Sequence, residues 1–269
     1  MKALTDFYHN LWHQYIRITP QARDIHQLFI NFGEVPVNDH VAFRTFADCV
    51  ISLEVLESKL LDFGFQYFDE YHFEQKHLYA RSYVHPLDNT KIFLSEILWH
   101  ELSRASQEVI ERYLSKIEKN TLVEFTSGRL WPMPSLSEYK ILEKESEYAA
   151  WLLAWGLRAN HFTIYINALN KFTGIEKVVG LLENQGYLLN AQGGVIKGSV
   201  EQGLMQISTM ADEFELEFRD GEKEMISSCY YEFAQRFNPQ NRSQERDVYQ
   251  GFVVSSANNI FESTSKDAK

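Results

Sequence analysis

Cysteine is scarce in this 269-residue chain. Cys49 and Cys229 are the only two, and neither belongs to a C-x-x-C pair, so the sequence encodes neither a disulfide framework nor a cysteine zinc site. Both read as small buried residues. Basic charge is also in short supply: 26 Lys and Arg stand against 37 Asp and Glu, a formal net charge of -11. A protein that neutralises phosphates needs a basic face, so neither nucleic acid nor an anionic membrane surface is an expected partner. No apolar run approaches the roughly 18 residues of a membrane span. The opening Met1-Lys2-Ala3-Leu4-Thr5-Asp6 has no apolar secretory core, and the expected location is the reducing cytoplasm. Also missing are G-x-G-x-x-G, a Walker loop, a G-x-S-x-G elbow and H-E-x-x-H. Ser263 to Lys266 fits S-x-x-K, but in a polar terminal tail. What is plentiful is core material, with 45% hydrophobic and 14% aromatic residues.

That material is organised as a repeat. After two helices expected within residues 3 to 31, broken near Pro20, His40-Val41-Ala42-Phe43-Arg44-Thr45-Phe46 alternates like a strand. A helix is expected over about 50 to 63, stopped by Gly64. Strand-like runs follow near 65 to 73, 76 to 85 and 90 to 98. The order recurs from His161: a strand through Ile166, a helix over 174 to 185 stopped by Gly186, then runs near 193 to 198, 204 to 218 and 225 to 236. Nearly equal spacings separate His40 from Gly64 and His161 from Gly186. A β-α-β-β-β unit repeated at fixed spacing indicates a duplicated supersecondary element.

The expected fold is therefore α+β: one domain over 1–269 in which two βαβββ modules, 38–98 and 158–237, form a curved mixed sheet around a central site. N-terminal helices fill 1–35 and a helical connection fills 99–157, with Trp131-Pro132-Met133-Pro134 breaking the latter. The segment 238–269 starts as a polar loop, Asn238 to Arg242. It then presents Gly251 to Ser256 as a strand or as a loop over the site, and frays after Thr264.

Side chains two apart on a strand share a face, which groups His40, Ala42 and Arg44, and likewise Tyr230, Glu232, Ala234 and Arg236. If both curved modules face one cavity, His40, His161 and Glu232 converge. Two imidazoles and a carboxylate bind one face of an octahedral Fe(II) and leave positions open for a chelating substrate and O₂. A buried, ionised Glu232 requires a partner cation, and Arg236 lies on the expected face to supply one. Glu96, in the last strand of the first copy, competes with Glu232 as the carboxylate ligand. Arg44 offers a planar fork for a carboxylate substrate. His72, His77, His85 and His100 read as exposed. The glutamates that alternate from Glu213 to Glu217 read as the wet side of a strand rather than a cation site.

Four segments resemble the 2-oxoadipate dioxygenase/decarboxylase family, related to hydroxyglutarate synthase: His40 to Phe46, Gly156 to Thr163, Tyr230 to Arg236, and Ala257 to Thr264. The resemblance runs over most of the chain. It implies a vicinal-oxygen-chelate core, Fe(II) held by His40, His161 and Glu232, and a substrate arginine at Arg44. Val254 with Ser255 or Ser256 falls where the family makes further substrate contacts. The implied reaction converts 2-oxoadipate and O₂ to 2-hydroxyglutarate and CO₂. Two rival readings share the fold: a zinc or nickel hydrolase, lyase or isomerase, and a binding module without catalysis.

Overall fold

Pro20 separates the first two elements, α1 (Lys2–Tyr15) and α2 (Pro20–Asn31), and occupies the first turn of α2, where its missing N–H costs no hydrogen bond. The computed structural model describes residues 2–239 and 248–265. Most of the polar loop expected at 238–242, the fraying end of the tail and Lys266 of the S-x-x-K match therefore lie outside the described residues. The first module comprises β1 (Asn38–Phe46), α3 (Leu53–Asp62), β2 (Gln66–Phe73), β3 (Leu78–Val84) and β4 (Lys91–Ile97). Helices α4 (Arg104–Leu114), α5 (Leu136–Glu143) and α6 (Glu147–Trp155) form the connection. Ser135 and Glu138 close a reciprocal capping box at the start of α5, and α6 is buried from Tyr148 to Trp155, as a helix apolar on all sides must be. The second module runs β5 (Ala159–Tyr165), α7 (Ile175–Asn184), β6 (Lys197–Ser199), β7 (Leu204–Ser208), β8 (Glu213–Glu217), β9 (Lys223–Ser227) and β10 (Tyr230–Arg236), and α8 (Val254–Phe261) follows.

Eight strands make one mixed sheet in the order β2-β3-β4-β1-β5-β10-β7-β6. In each module the first strand runs parallel to the last, β1 beside β4 and β5 beside β10, while β1 and β5 meet antiparallel at the seam. The sheet thus has an approximate twofold axis between β1 and β5. Both crossover helices end where the sequence indicated: Gly64 has φ +93° and Gly186 φ +81°, a left-handed backbone that a side chain strains.

Two of the expected runs are divided. Residues 204 to 218 and 225 to 236 each supply one strand to the main sheet, β7 and β10, and one to a separate hairpin, β8–β9. Hydrogen bonds between Asp212 and Ser228 and between Asp212 and Cys229 pinch the chain off at that point, and the β8 glutamates face water. The run at 193 to 198 shrinks to β6, because Gly193 and Gly194 both take positive φ. Gly251 to Ser256 is neither strand nor simple loop, since α8 begins at Val254.

One face of the sheet carries Phe162, Tyr231 and Phe233 against Trp12 of α1 and Phe29 of α2. Alternation places His40, His161 and Glu232 on the opposite face, under α8. Cys229 is buried as expected, whereas Cys49 is only half-buried. His85 departs from expectation too: it is buried and packs edge-on to Phe65.

Candidate metal centre

Register brings the two histidines together. Across the β1–β5 seam His40 lies opposite Thr163 and Ala42 opposite His161, so the imidazoles are diagonal neighbours on one face. In the parallel β5–β10 pair Glu232 lies beside Thr163, which puts its carboxylate on that same face. The Nε2 atoms of His40 and His161 are 3.4 Å apart, and the Glu232 oxygens lie 3.4 Å from the first and 3.3 Å from the second. All three side chains are buried. Among the described residues this is the one group of three or more His, Cys, Asp or Glu whose donor atoms converge in this way.

These separations suit metal ligation better than hydrogen bonding. His40 Nδ1 sits 2.8 Å from Asp39 Oδ2, and His161 Nδ1 sits 3.2 Å from Asn160 Oδ1. Each Nδ1–H donates to its neighbour, so each Nε2 turns a lone pair inward. The Thr163 hydroxyl lies 3.1 Å from His40 Nε2, close enough to donate to that lone pair only while no cation takes it. Gln206 Nε2 donates to Glu232 Oε1, while Oε2 has no hydrogen-bond partner although it is buried. Two imidazole lone pairs and an orphaned carboxylate oxygen therefore face one point. Bonds of about 2.1 Å would place neighbouring donors about 3 Å apart. The residues present fit a divalent cation.

The electrostatics agree. Burial pushes the Glu232 carboxyl up to about 8, against the Gln206 hydrogen bond. Burial lowers His40 despite Asp39, and lowers His161 further, with the neighbouring imidazole adding to the effect. Without a cation all three groups favour their neutral forms. Asp39 behaves oppositely: burial would raise it, but the Arg236 and Lys91 charges hold it well below the usual carboxylate range.

The remaining expected residues are distributed unevenly. Arg236 does not neutralise Glu232; its fork is committed to Asp39 at 2.7 and 2.8 Å. Glu96 is on the other face of the sheet, beside Thr45, and its carboxylate accepts from the Leu53 N–H at the start of α3. Register explains why. Counting from the two histidines, Glu232 corresponds to Phe93, and Glu96 corresponds to Gln235, whose side chain likewise accepts from the first amide of α7 at Ile175. Glu96 and Gln235 are thus equivalent helix caps, and Glu96 stands apart from the converging donors.

Arg44 shares the face of His40 but reaches away from the triad. Its guanidinium lies between the rings of Tyr148 and Trp151, 4.8 and 5.0 Å away, with Glu147 at 3.4 Å and Thr264 Oγ1 at 3.0 Å. Its Nε has no partner. Arg44 lines a cavity of about 210 Å³ with Lys76, Glu147 and Phe261. The cavity at the triad is much smaller, about 20 Å³, because Phe93, Phe252, Ile260 and Phe261 fill it. Phe261 borders both cavities. Val254 and Ser255 are exposed at the start of α8; Ser256 is buried but does not line the cavity at the triad.

Sequence reasoning missed Asp39, Asn160, Gln206 and Phe252. A signal for the first two was present, since each histidine is preceded by an Asx residue at the equivalent position of its module. Gln206 comes from the β7–β10 pairing and Phe252 from the closing segment, and neither has a local sequence pattern.

A family model described as 2-oxoadipate dioxygenase/decarboxylase matches residues 116–242. The chain is similar to the chloroplastic/amyloplastic 2-oxoadipate dioxygenase/decarboxylase of Oryza sativa subsp. japonica: 35% identical over 282 residues, covering 96% of this chain and 78% of that protein. The chloroplastic 2-oxoadipate dioxygenase/decarboxylase of Arabidopsis thaliana is 36% identical over 250 residues, covering 84% of this chain and 67% of that protein. Among solved structures, the hydroxyglutarate synthase of Oryza sativa in complex with 2-oxoadipate aligns with a TM-score of 0.92 at 34% identity, covering 99% of this chain and 93% of that one.

Proposed function

The chain belongs to the 2-oxoadipate dioxygenase/decarboxylase family, and on that premise we propose that it is an Fe(II)-dependent dioxygenase acting on a 2-oxo dicarboxylic acid, 2-oxoadipate first among them. The observation that carries the reading is the convergence of His40, His161 and Glu232, two neutral imidazoles and one carboxylate brought from both modules to one buried point. A facial set of this kind suits Fe(II) and leaves room for a bidentate ligand and O₂. When bound, iron supplies O₂ activation and a Lewis acid for the 2-oxo carboxylate. The balance is 2-oxoadipate plus O₂ giving 2-hydroxyglutarate plus CO₂, which conserves every atom.

The chain's own residues bind, orient and exclude water. Asp39 and Asn160 fix the imidazole tautomers, and Gln206 holds one oxygen of Glu232. Arg44, clamped between two aromatic faces with a free Nε–H, is a preformed receptor for the distal carboxylate of the substrate. Phe93, Phe252 and Phe261 keep the reacting end dry. Val254 with Ser255 or Ser256, at the start of α8, belongs to this reading as further substrate contacts on the strength of the family alone. No helix among the described residues is long and apolar enough to cross a membrane. A cytoplasmic setting forms part of the same proposal, supported by two free thiols.

The test is anaerobic loading with Fe(II), then O₂ uptake over a panel of 2-oxo acids with one and two carboxylates. The expected result is O₂ uptake matched by CO₂ release and strongest with the six-carbon diacid. Equal turnover by wild type and His161→Ala would refute the proposal, and substrate turnover independent of O₂ would favour a metal hydrolase or lyase instead.

A further inference from the structure

Arg236 is among the largest fully buried side chains of the protein, and the chemistry described so far gives it no task. A buried ion pair is a poor way to stabilise a fold, since apolar residues of the same volume usually do as well or better. What an arginine fork supplies instead is fixed direction. Nε and Nη2 of Arg236 hold the two oxygens of Asp39 at 2.7 and 2.8 Å. Asp39 Oδ2 in turn accepts from His40 Nδ1. The remaining terminal nitrogen, Nη1, donates to the carbonyls of Tyr249 and Gly251, both at 2.9 Å. The ring of Phe252 lies 5.4 Å from the guanidinium and 4.8 Å from the His40 imidazole. The contacts form a closed circuit: Arg236 to Asp39, Asp39 to His40, His40 to Phe252, and Phe252 back to Arg236. His161 has no such circuit; its Nδ1 meets an amide and its ring stacks on Tyr230 at 4.6 Å.

We infer that Arg236 is a positioning residue that couples the orientation of His40 to the seating of residues 249–252 over the site. The inference rests on the metal-site reading above. One guanidinium holds the carboxylate that aims His40 and the two carbonyls that deliver Phe252, so disturbing either side disturbs the other. Binding at one end must then strengthen the other by the same factor. Metal at His40 tightens the closing segment, and a loosened segment weakens metal binding.

The test uses the full-length protein with two readouts: Fe(II) affinity by anaerobic competition against a chelator, and hydrogen exchange of the peptide spanning 248–258. Arg236→Lys keeps the charge and loses the fork. Its Fe(II) affinity is expected to fall by about 10-fold, the low end of what losing a direct partner of a ligating histidine costs, because Asp39 itself is kept. Exchange of the peptide is expected to rise in the same variant, and saturating Fe(II), which slows exchange in wild type, should no longer do so. Tyr71→Phe guards against a variant that fails to fold. It removes the hydroxyl that accepts from the Phe252 N–H at 3.1 Å and touches no ligand, so it loosens the segment from its far side. A measurable fall in Fe(II) affinity in Tyr71→Phe supports the coupling. Lost affinity with unchanged exchange, or raised exchange with wild-type affinity, overturns it. Wild-type protein that takes up no Fe(II) overturns the metal reading as well, an outcome distinguished by the wild-type measurement itself.

Discussion

Glu232→Gln separates stability from function in opposite directions. The wild-type carboxyl is pushed up to about 8 by burial, against 4.5 in the unfolded chain. Its contribution to folding is therefore fully present below pH 4.5 and is lost as pH rises through about 8. At pH 7 the loss in metal-free protein is about 3 kcal/mol, taking 1.36 kcal/mol per pH unit; at pH 5 it is about 1 kcal/mol. Glutamine keeps an oxygen for Gln206 and removes the ionisation. Metal-free Glu232→Gln should then melt roughly 6 °C above metal-free wild type at pH 7, at about 2 °C per kcal/mol for a chain of this size, and only about 2 °C above it at pH 5. Divalent metal at 100 times its Kd should add about 2.7 kcal/mol to wild type, roughly 5 °C, and almost nothing to the variant. Calorimetry of both proteins at the two pH values, with and without anaerobic Fe(II), measures all four quantities. A metal-free variant less stable than wild type at pH 7 would refute the burial argument. A metal-induced rise of equal size in both proteins would refute the ligand assignment.

Arg44→Lys should raise KM for a 2-oxo diacid about tenfold or more, because the fork is lost, while leaving a 2-oxo monoacid nearly unaffected in a steady-state comparison. Glu96→Gln keeps the cap on α3 and should leave Fe(II) affinity unchanged in the chelator competition; a tenfold loss would return Glu96 to the site. Phe252→Ala removes a buried ring over the triad and should cost about 3 kcal/mol or more in urea unfolding while admitting bulkier 2-oxo acids. Gly64→Ala forces a side chain into φ +93°, with its Cβ 3.4 Å from His85 Nε2, and should cost about 1 to 2 kcal/mol in the same assay.

Much of this architecture was legible because it is periodic. Alternation around His40 and His161 and the glycine stops at 64 and 186 are local properties, and they indicate the full element order of the first module and the opening strand and helix of the second. Glu96 competes with Glu232 in the sequence because the strand number of a carboxylate is visible there while its register is not. A shift of three residues places a side chain on the opposite face, and only the pairing with β1 reveals that Glu96 matches Gln235. In the sequence Arg236 can serve the nearer acid, Glu232, whereas in the fold its partner is Asp39 on another strand. In the sequence the β8–β9 hairpin is continuous with longer strands because its residues alternate as well; the departure from the sheet is made by hydrogen bonds around Asp212, which leave no periodic trace.

The correspondence of Phe93 with Glu232 across the β1–β5 axis bears on how many substrates the centre can handle at once. A duplication that kept the glutamate in both copies would give two carboxylates and two imidazoles, and would leave an octahedral cation only two open positions. With a phenyl ring in one quadrant, any ion held there is under-coordinated by protein. An octahedral cation held by these three residues would keep three of its six positions for other ligands. The residue at a single strand position thus decides how many positions a bound cation would have left for other molecules.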